Sequence, residues 1–251
     1  MYLKYSNILI ATVLLLSSCE KKTDCPNSMR LTVSNPTPTV GESFEITAPA
    51  LDGNGYFTWT GPGNFSGTIG NKLTISNAKY AGRGWYYCAK TVTDCNKTLR
   101  DSIFVDVKLK QNAPPCSPTN NLITFSSIPN LTVTSVTYGI DPTYNGMALM
   151  GSGAFGYPSS FRVLFNSYNG VFDPPDGVYN TTSVPVFDVT QDFEDVSVSF
   201  IYNSNYFHSQ PGQKIYVSHV GGKVSVKMCS LIFSQVGSGL TTQCTGQITR
   251  P

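Results

Sequence analysis

Apolar and polar residues alternate one for one in several short stretches of this chain, among them Phe44-Glu45-Ile46-Thr47, Leu131-Thr132-Val133-Thr134 and Val196-Ser197-Val198-Ser199-Phe200. A period of two sends successive side chains to opposite faces of a pleated backbone, so each stretch predicts a half-buried strand. Tyr56-Phe57-Thr58-Trp59, after the Asp52-Gly53-Asn54-Gly55 turn, and part of Phe161-Arg162-Val163-Leu164-Phe165 read the same way. Lys214 to Val220, Gly221-Gly222 and Lys223 to Met228 predict a hairpin closed by a two-glycine turn. On its returning strand Val224, Val226 and Met228 share one face, while Cys229, Leu231 and Phe233 fall on the other. Either both faces are covered near residue 229, or a bulge shifts the register there. Lys110-Gln111-Asn112-Ala113-Pro114-Pro115 interrupts the pattern with residues that avoid strands and helices, and reads as a hinge over 110–115. It separates a first β unit, 25–109, from a second, 116–251, expected to be an antiparallel β-sandwich or jelly-roll-like domain. The fold class expected is all-β.

Composition strengthens this reading. Charged residues are only 13% of the chain, while Gly, Pro, Thr and aromatics are plentiful, a balance that suits short strands joined by tight turns. A formal net charge of +2, with no basic cluster beyond Lys21-Lys22, gives nucleic acid no footing. One apolar run stands apart. Ile8 to Leu16 follows Lys4 and precedes Ser17-Ser18-Cys19, the order of a secretory signal, and it is too short to cross a bilayer, which takes about 20 residues.

Leu16-Ser17-Ser18-Cys19 resembles the lipobox of bacterial lipoproteins. The resemblance implies that residues 1–18 are a signal peptide, that Cys19 is acylated, and that 19–24 form a polar tether. The layout as a whole resembles Gram-negative lipoproteins with an N-terminal immunoglobulin-like domain and an uncharacterised β-rich C-terminal domain. An extracytoplasmic protein held at the outer membrane by its lipid, on the surface or the periplasmic face, is what that likeness implies; two or more acyl chains suffice for stable attachment.

The immunoglobulin likeness rests on Leu73-Thr74-Ile75 and Gly82-Arg83-Gly84-Trp85-Tyr86-Tyr87-Cys88, which resemble the stretch where L-x-I precedes D-x-G-x-Y-x-C. Tyr86 takes the tyrosine-corner position and Trp59 that of the buried tryptophan. Gly82 replaces the usual Asp, and Ile46 stands where a cysteine should pair with Cys88, so Cys88 is expected as a core cysteine, free unless it bridges Cys95. Seven cysteines in all fit one lipidated residue and six in an oxidising compartment. Cys25 to Cys95 is the preferred bridge of the first unit, with Cys88 to Cys95 its competitor. In the second unit Cys116 to Cys229 is the preferred bridge, with Cys116 to Cys244 its competitor.

Motifs for chemistry are sparse. Gly151-Ser152-Gly153-Ala154-Phe155-Gly156 matches G-x-G-x-x-G, but Pro158 and a strand follow where a phosphate cradle needs a helix, so a flexible turn is expected. His208 and His219 are the only imidazoles and read as exposed bystanders. Asp173-Pro174-Pro175-Asp176-Gly177 and Gln191-Asp192-Phe193-Glu194-Asp195 offer hard oxygens without the spacing of a calcium loop. No cofactor and no metal is expected. Tyr202, Tyr206, Phe207 and His208 crowd what reads as one connection, Tyr138 and Tyr144 flank another beside Asp141 and Asn145, and Trp85 alternates outward from Tyr86. Ring faces with nearby amides suit a sugar or a protein partner. The expected function is therefore a non-catalytic, lipid-anchored binding or adhesion protein, with ligand contacts at Tyr202, Tyr206, Phe207, His208 and Trp85. The alternatives are a polysaccharide hydrolase using carboxylates among Asp173, Asp176, Asp192, Glu194 and Asp195, and a purely structural envelope lipoprotein.

Overall fold

The computed structural model describes residues 25–50, 53–141, 146–154, 158–166, 173–182 and 193–250. Cys19 and its tether, Asp192, Tyr144, Asn145, Phe155 and Gly156 lie outside them. Within the first unit, β1 (Thr32–Val33), β2 (Phe44–Thr47) and β5 (Lys72–Ile75) form one sheet. The facing sheet has the order β4 (Phe65–Ile69), β3 (Gly55–Gly61), β6 (Gly84–Val92) and β7 (Lys97–Val105). The inward halves of the alternating strands, Phe44, Ile46, Phe57, Trp59, Leu73, Tyr86 and Cys88, fill the space between the sheets. This is an immunoglobulin-like sandwich, with Trp59 fully buried and its indole Nε1 donating to the Gly70 carbonyl at 3.0 Å. The tyrosine corner closes without its Asp, because the Tyr86 hydroxyl donates to the main-chain carbonyl of Gly82 at 2.9 Å.

Ten strands make up the second unit: β8 (Leu122–Phe125), β9 (Leu131–Asp141), β10 (Gly146–Ala154), β11 (Pro158–Phe165), β12 (Gly177–Thr182), β13 (Asp195–Tyr202), β14 (Asn205–Ser209), β15 (Lys214–Val220), β16 (Lys223–Gln235) and β17 (Thr241–Thr249). Here the all-β unit goes a step beyond two stacked sheets and closes into a barrel. From β8 the ladder runs through β9, β10 and β11 to β13, and from β16 through β17 back to β8. Two routes connect β13 to β16: β14 at one end, and β12 with β15 at the other. Pairing is antiparallel except between β12 and β13. Closure leaves no open sheet edge along that circuit, which removes the unpaired main-chain groups of an edge strand. Phe200 sits at the centre of the packed rings, stacked on Phe207 at 4.5 Å and edge-on to Phe233 at 5.0 Å.

Gly221 and Gly222 take φ of 60° and 75° between Val220 and Lys223, the left-handed pair that a tight hairpin turn requires. A register shift between Met228 and Leu231, with Ser230 at φ 62°, accounts for the change of face along β16. Gly151-Ser152-Gly153 is not a turn. It lies in β10, bulged between Ser152 and Gly153, and a Cβ on Gly153 would stand 2.0 Å from the Thr132 carbonyl oxygen.

Disulfides join Cys25 to Cys95 and Cys116 to Cys229. Cys244, the alternative partner of Cys116, is instead a buried thiol facing the barrel core, and Cys88 is a buried thiol in the sandwich. The expected hinge is anchored at its start. Leu109 is buried in the barrel's apolar cluster, the Lys110 carbonyl accepts the Val178 amide at 2.9 Å, and Gln111 Nε2 donates to the Asp176 carbonyl at 2.6 Å. Tyr80 of the first unit stacks on Phe193 of the second at 4.9 Å. Leu109 is the apolar residue that ends the first unit's last alternation, and burying it against β12 is what fixes the connection.

Candidate functional site

The outer face of the four-stranded sheet gathers exposed rings. Alternation along β6 buries Tyr86, Cys88, Lys90 and Val92 and turns Trp85, Tyr87, Ala89 and Thr91 outward. By the same rule β3 turns out Tyr56, Thr58 and Thr60, and β7 turns out Arg100, Ser102 and Phe104. Register sets these side chains in rows: Trp85 with Phe104; Thr60, Tyr87 and Ser102; Thr58, Ala89 and Arg100; Tyr56 with Thr91. Four rows at the two-residue repeat of a strand span roughly 20 Å. Ala89 is small in the middle of the grid, and a depression of about 400 Å³ opens over it, lined by Thr58, Thr60, Tyr87, Arg100 and Ser102 among others.

Tyr56, Trp85 and Tyr87 are 50%, 51% and 52% exposed, against 3% for Tyr86 between the last two. Trp85 is braced from behind. Its ring meets Phe104 edge-on at 5.5 Å, and the Arg83 guanidinium lies 5.4 Å over Phe104 while donating to Asp106 at 2.6 Å. Hydrogen bonds from Lys108 first and Arg83 next hold the Asp106 carboxyl below the usual carboxylate range, so this brace stays ionised. Asp101 points inward and accepts the Leu31 amide at 2.7 Å. Burial, with the Asp101 charge adding to it, pushes the Cys88 thiol up to about 11, which leaves it a core group rather than a nucleophile. The face thus offers ring surfaces, hydroxyls and one guanidinium on a rigid backing. These suit stacking and hydrogen bonding to a ligand laid across the sheet.

The contacts expected in the second unit are divided. Tyr206 to His208 lie in β14, not in a loop, after a turn in which Asn203 and Ser204 take φ of 48° and 61°. A strand sends alternate residues inward, so Phe207 is 2% exposed and belongs to the core; it is no ligand contact. Tyr206 and His208 point outward and stack with centroids 5.7 Å apart. Tyr202 is half-buried against the barrel core. Burial, then the nearby Arg162 charge, lowers the His208 pKa, which favours a neutral ring.

His219 is not a bystander. Its Nδ1 meets Asp176 Oδ1 at 2.5 Å and its Nε2 meets Asp173 Oδ2 at 3.2 Å, while the Tyr138 hydroxyl donates to Asp173 Oδ1 at 2.9 Å. With a carboxylate at each nitrogen the imidazolium is favoured. Burial pulls its pKa down, but the Asp176 hydrogen bond and both carboxylate charges outweigh burial and raise it. Asp173 and Asp176 therefore converge on one imidazolium rather than facing each other across a cleft. Glu194 is buried and Asp195 half-buried. Among the described residues no group of three or more His, Cys, Asp or Glu side chains forms a metal site, and no helix is long and apolar enough to cross a membrane.

Trp85 is the one expected contact on the aromatic face. Tyr87 and Tyr56 are not among the expected contacts, although both are readable: Tyr87 stands two residues after Trp85, and Tyr56 alternates out of phase with Phe57 and Trp59. Nothing in sequence pairs His219 with residues 173 and 176, because β12 and β15 meet only through the barrel.

No family model matches the sequence, and no curated protein is similar to it. Among solved structures, the amphioxus IgVJ-C2 molecule aligns at 27% identity with a TM-score of 0.28, over 32% of this chain and 43% of its own length. The chain thus spans less than half of that molecule. The immunoglobulin-like character of the first unit stands on its own sheet order, buried tryptophan and tyrosine corner. The two disulfides suit an extracytoplasmic protein.

Proposed function

We propose that this is a non-catalytic binding protein of the cell envelope, tethered by lipid at Cys19 to the outer membrane of a Gram-negative cell, which takes a glycan ligand on the outer face of its first sandwich. The observation that carries this reading is that Tyr56, Trp85 and Tyr87 are each about half exposed on one sheet face, with Tyr87 lining a depression that hydroxyls and Arg100 also line. Exposed rings on a flat face stack on the apolar faces of sugars, and threonine, serine and arginine side chains reach sugar hydroxyls. Rings held by a sheet lose little freedom on binding, which lowers the entropic cost. The lipid would place this face in front of a membrane at a distance set by the tether.

A glycan screen of the purified protein tests it. The wild type should retain a defined set of glycans, and Tyr87→Ala should weaken binding by about tenfold, the loss of one stacked ring at roughly 1 to 1.5 kcal/mol. Retention unchanged in both Tyr87→Ala and Trp85→Ala would remove the face from the account.

A further inference from the structure

We infer that a second depression, on the barrel, is a binding site for an oxyanion, either a carboxylate or a phosphate carried on a small polar ligand. It measures about 320 Å³ and is lined by Asn120, Asn121, Val133, Thr134, Val136, Lys223, Thr249 and Arg250. Two of these are cations and none is an acid. Among the described residues neither Lys223 nor Arg250 pairs with a carboxylate. Arg250 is held by two contacts that carry no opposite charge: its amide donates to the Val224 carbonyl at 2.8 Å, and its guanidinium lies 4.7 Å over the Tyr138 ring. Asp173, whose partner Tyr138 lies under the Arg250 guanidinium, is engaged by Tyr138 and His219.

The neutral lining adds donors. The Thr249 amide donates at 3.2 Å to Asn121, so the accepting atom there must be the amide oxygen. The Thr249 hydroxyl donates to Asn120 Oδ1 at 2.7 Å. One residue of β17 thus engages the oxygens of both carboxamides, and their NH2 groups have no hydrogen-bond partner among the described residues. Asn121 is held in place by its left-handed backbone, φ 56°, and by main-chain bonds to Gln247 and Val133. Two cations without a carboxylate partner among the described residues, and two carboxamides whose oxygens are engaged elsewhere, offer donors complementary to a group that only accepts. The volume falls at the small end of ligand pockets, the size for a single charged sugar or similar body rather than a bare ion.

The test is calorimetric titration of the purified protein with glucuronate, glucose 6-phosphate and glucose at low salt. Binding of glucuronate alone assigns a carboxylate, of glucose 6-phosphate alone a phosphate, and of both the shared oxyanion chemistry. In each case binding should fall with added salt, and the Lys223→Gln and Arg250→Gln variants should each lose about tenfold or more, the worth of a charge-assisted hydrogen bond. Lys223 is exposed beside a hairpin turn, so its variant should keep the wild-type thermal midpoint. Failure of both charged probes to bind, equal binding of glucose, or affinity unchanged in both variants would overturn the assignment. Loss of glycan retention at Tyr87 leaves it untouched, since the two surfaces lie on different units.

Discussion

His219 shows how a few atoms set a pH dependence. Its folded-state pKa is raised, so the protonated ring stabilises the fold fully below the ordinary histidine value, and that contribution disappears as pH rises through the higher value of the folded protein. The difference in denaturant midpoint between the wild type and His219→Gln should therefore shrink as pH rises through the range where histidine titrates, while His208, whose pKa burial lowers, contributes an opposite slope common to both proteins. Two thiols supply a second residue-scale prediction. Cys88 and Cys244 are buried, and burial raises the pKa of both. Alkylation mapped by mass spectrometry should leave both unmodified in the native protein and modify both in denaturant. The core role of Cys88 was readable from the tyrosine-corner pattern around it. That of Cys244 was not, because the choice between Cys229 and Cys244 depends on the register of β16 and β17, where Leu231 faces Cys244 across a bulge.

At the scale of elements, β14 separates pattern from context. Tyr206 to His208 read as part of a connection because only Phe207 is strongly apolar between Asn205 and Ser209, and one inward residue does not establish a period. The neighbours decide it: β13 and β16 each offer a free length of edge that Tyr206 to Ser209 fills. A mutational contrast follows. Phe207→Ala removes a ring from the Phe200 stack and should cost about 3 to 5 kcal/mol in chemical denaturation, whereas exposed Tyr206→Ala should change stability by less than about 0.5 kcal/mol. Where alternation is clean, as in β2, β6 and the β15–β16 hairpin, sequence alone places the strands and their inward faces. Of these only β6 carries part of the aromatic face, Trp85 and Tyr87, so that pair was legible once residues two apart are counted together, while the rows that add β3 and β7 needed the register.

The whole molecule is less modular than its sequence suggests. Pro114-Pro115 and the polar residues before them mark a boundary, but Leu109, Lys110 and Gln111 are bound to the barrel, and Tyr80 reaches across to Phe193. At Gly177, φ is 155° and a Cβ would stand 2.4 Å from that of Leu109, so the barrel accepts the connection only because this residue has no side chain. Composition cannot reveal such a close approach, since it depends on which strand of the second unit arrives beside residue 109. The barrel's closure was hidden for the same reason: alternation gives each strand its faces but not its neighbours.

Acrylamide quenching of the two tryptophans tests the aromatic face most directly. Trp59 is fully buried and Trp85 is 51% exposed, so quenchable emission in the free protein should come from Trp85 alone. Saturation with a glycan retained in the screen should shield Trp85 and abolish most of that quenching. A glycan that binds by calorimetry yet leaves Trp85 as open to acrylamide as before would contradict the placement of the ligand on this sheet.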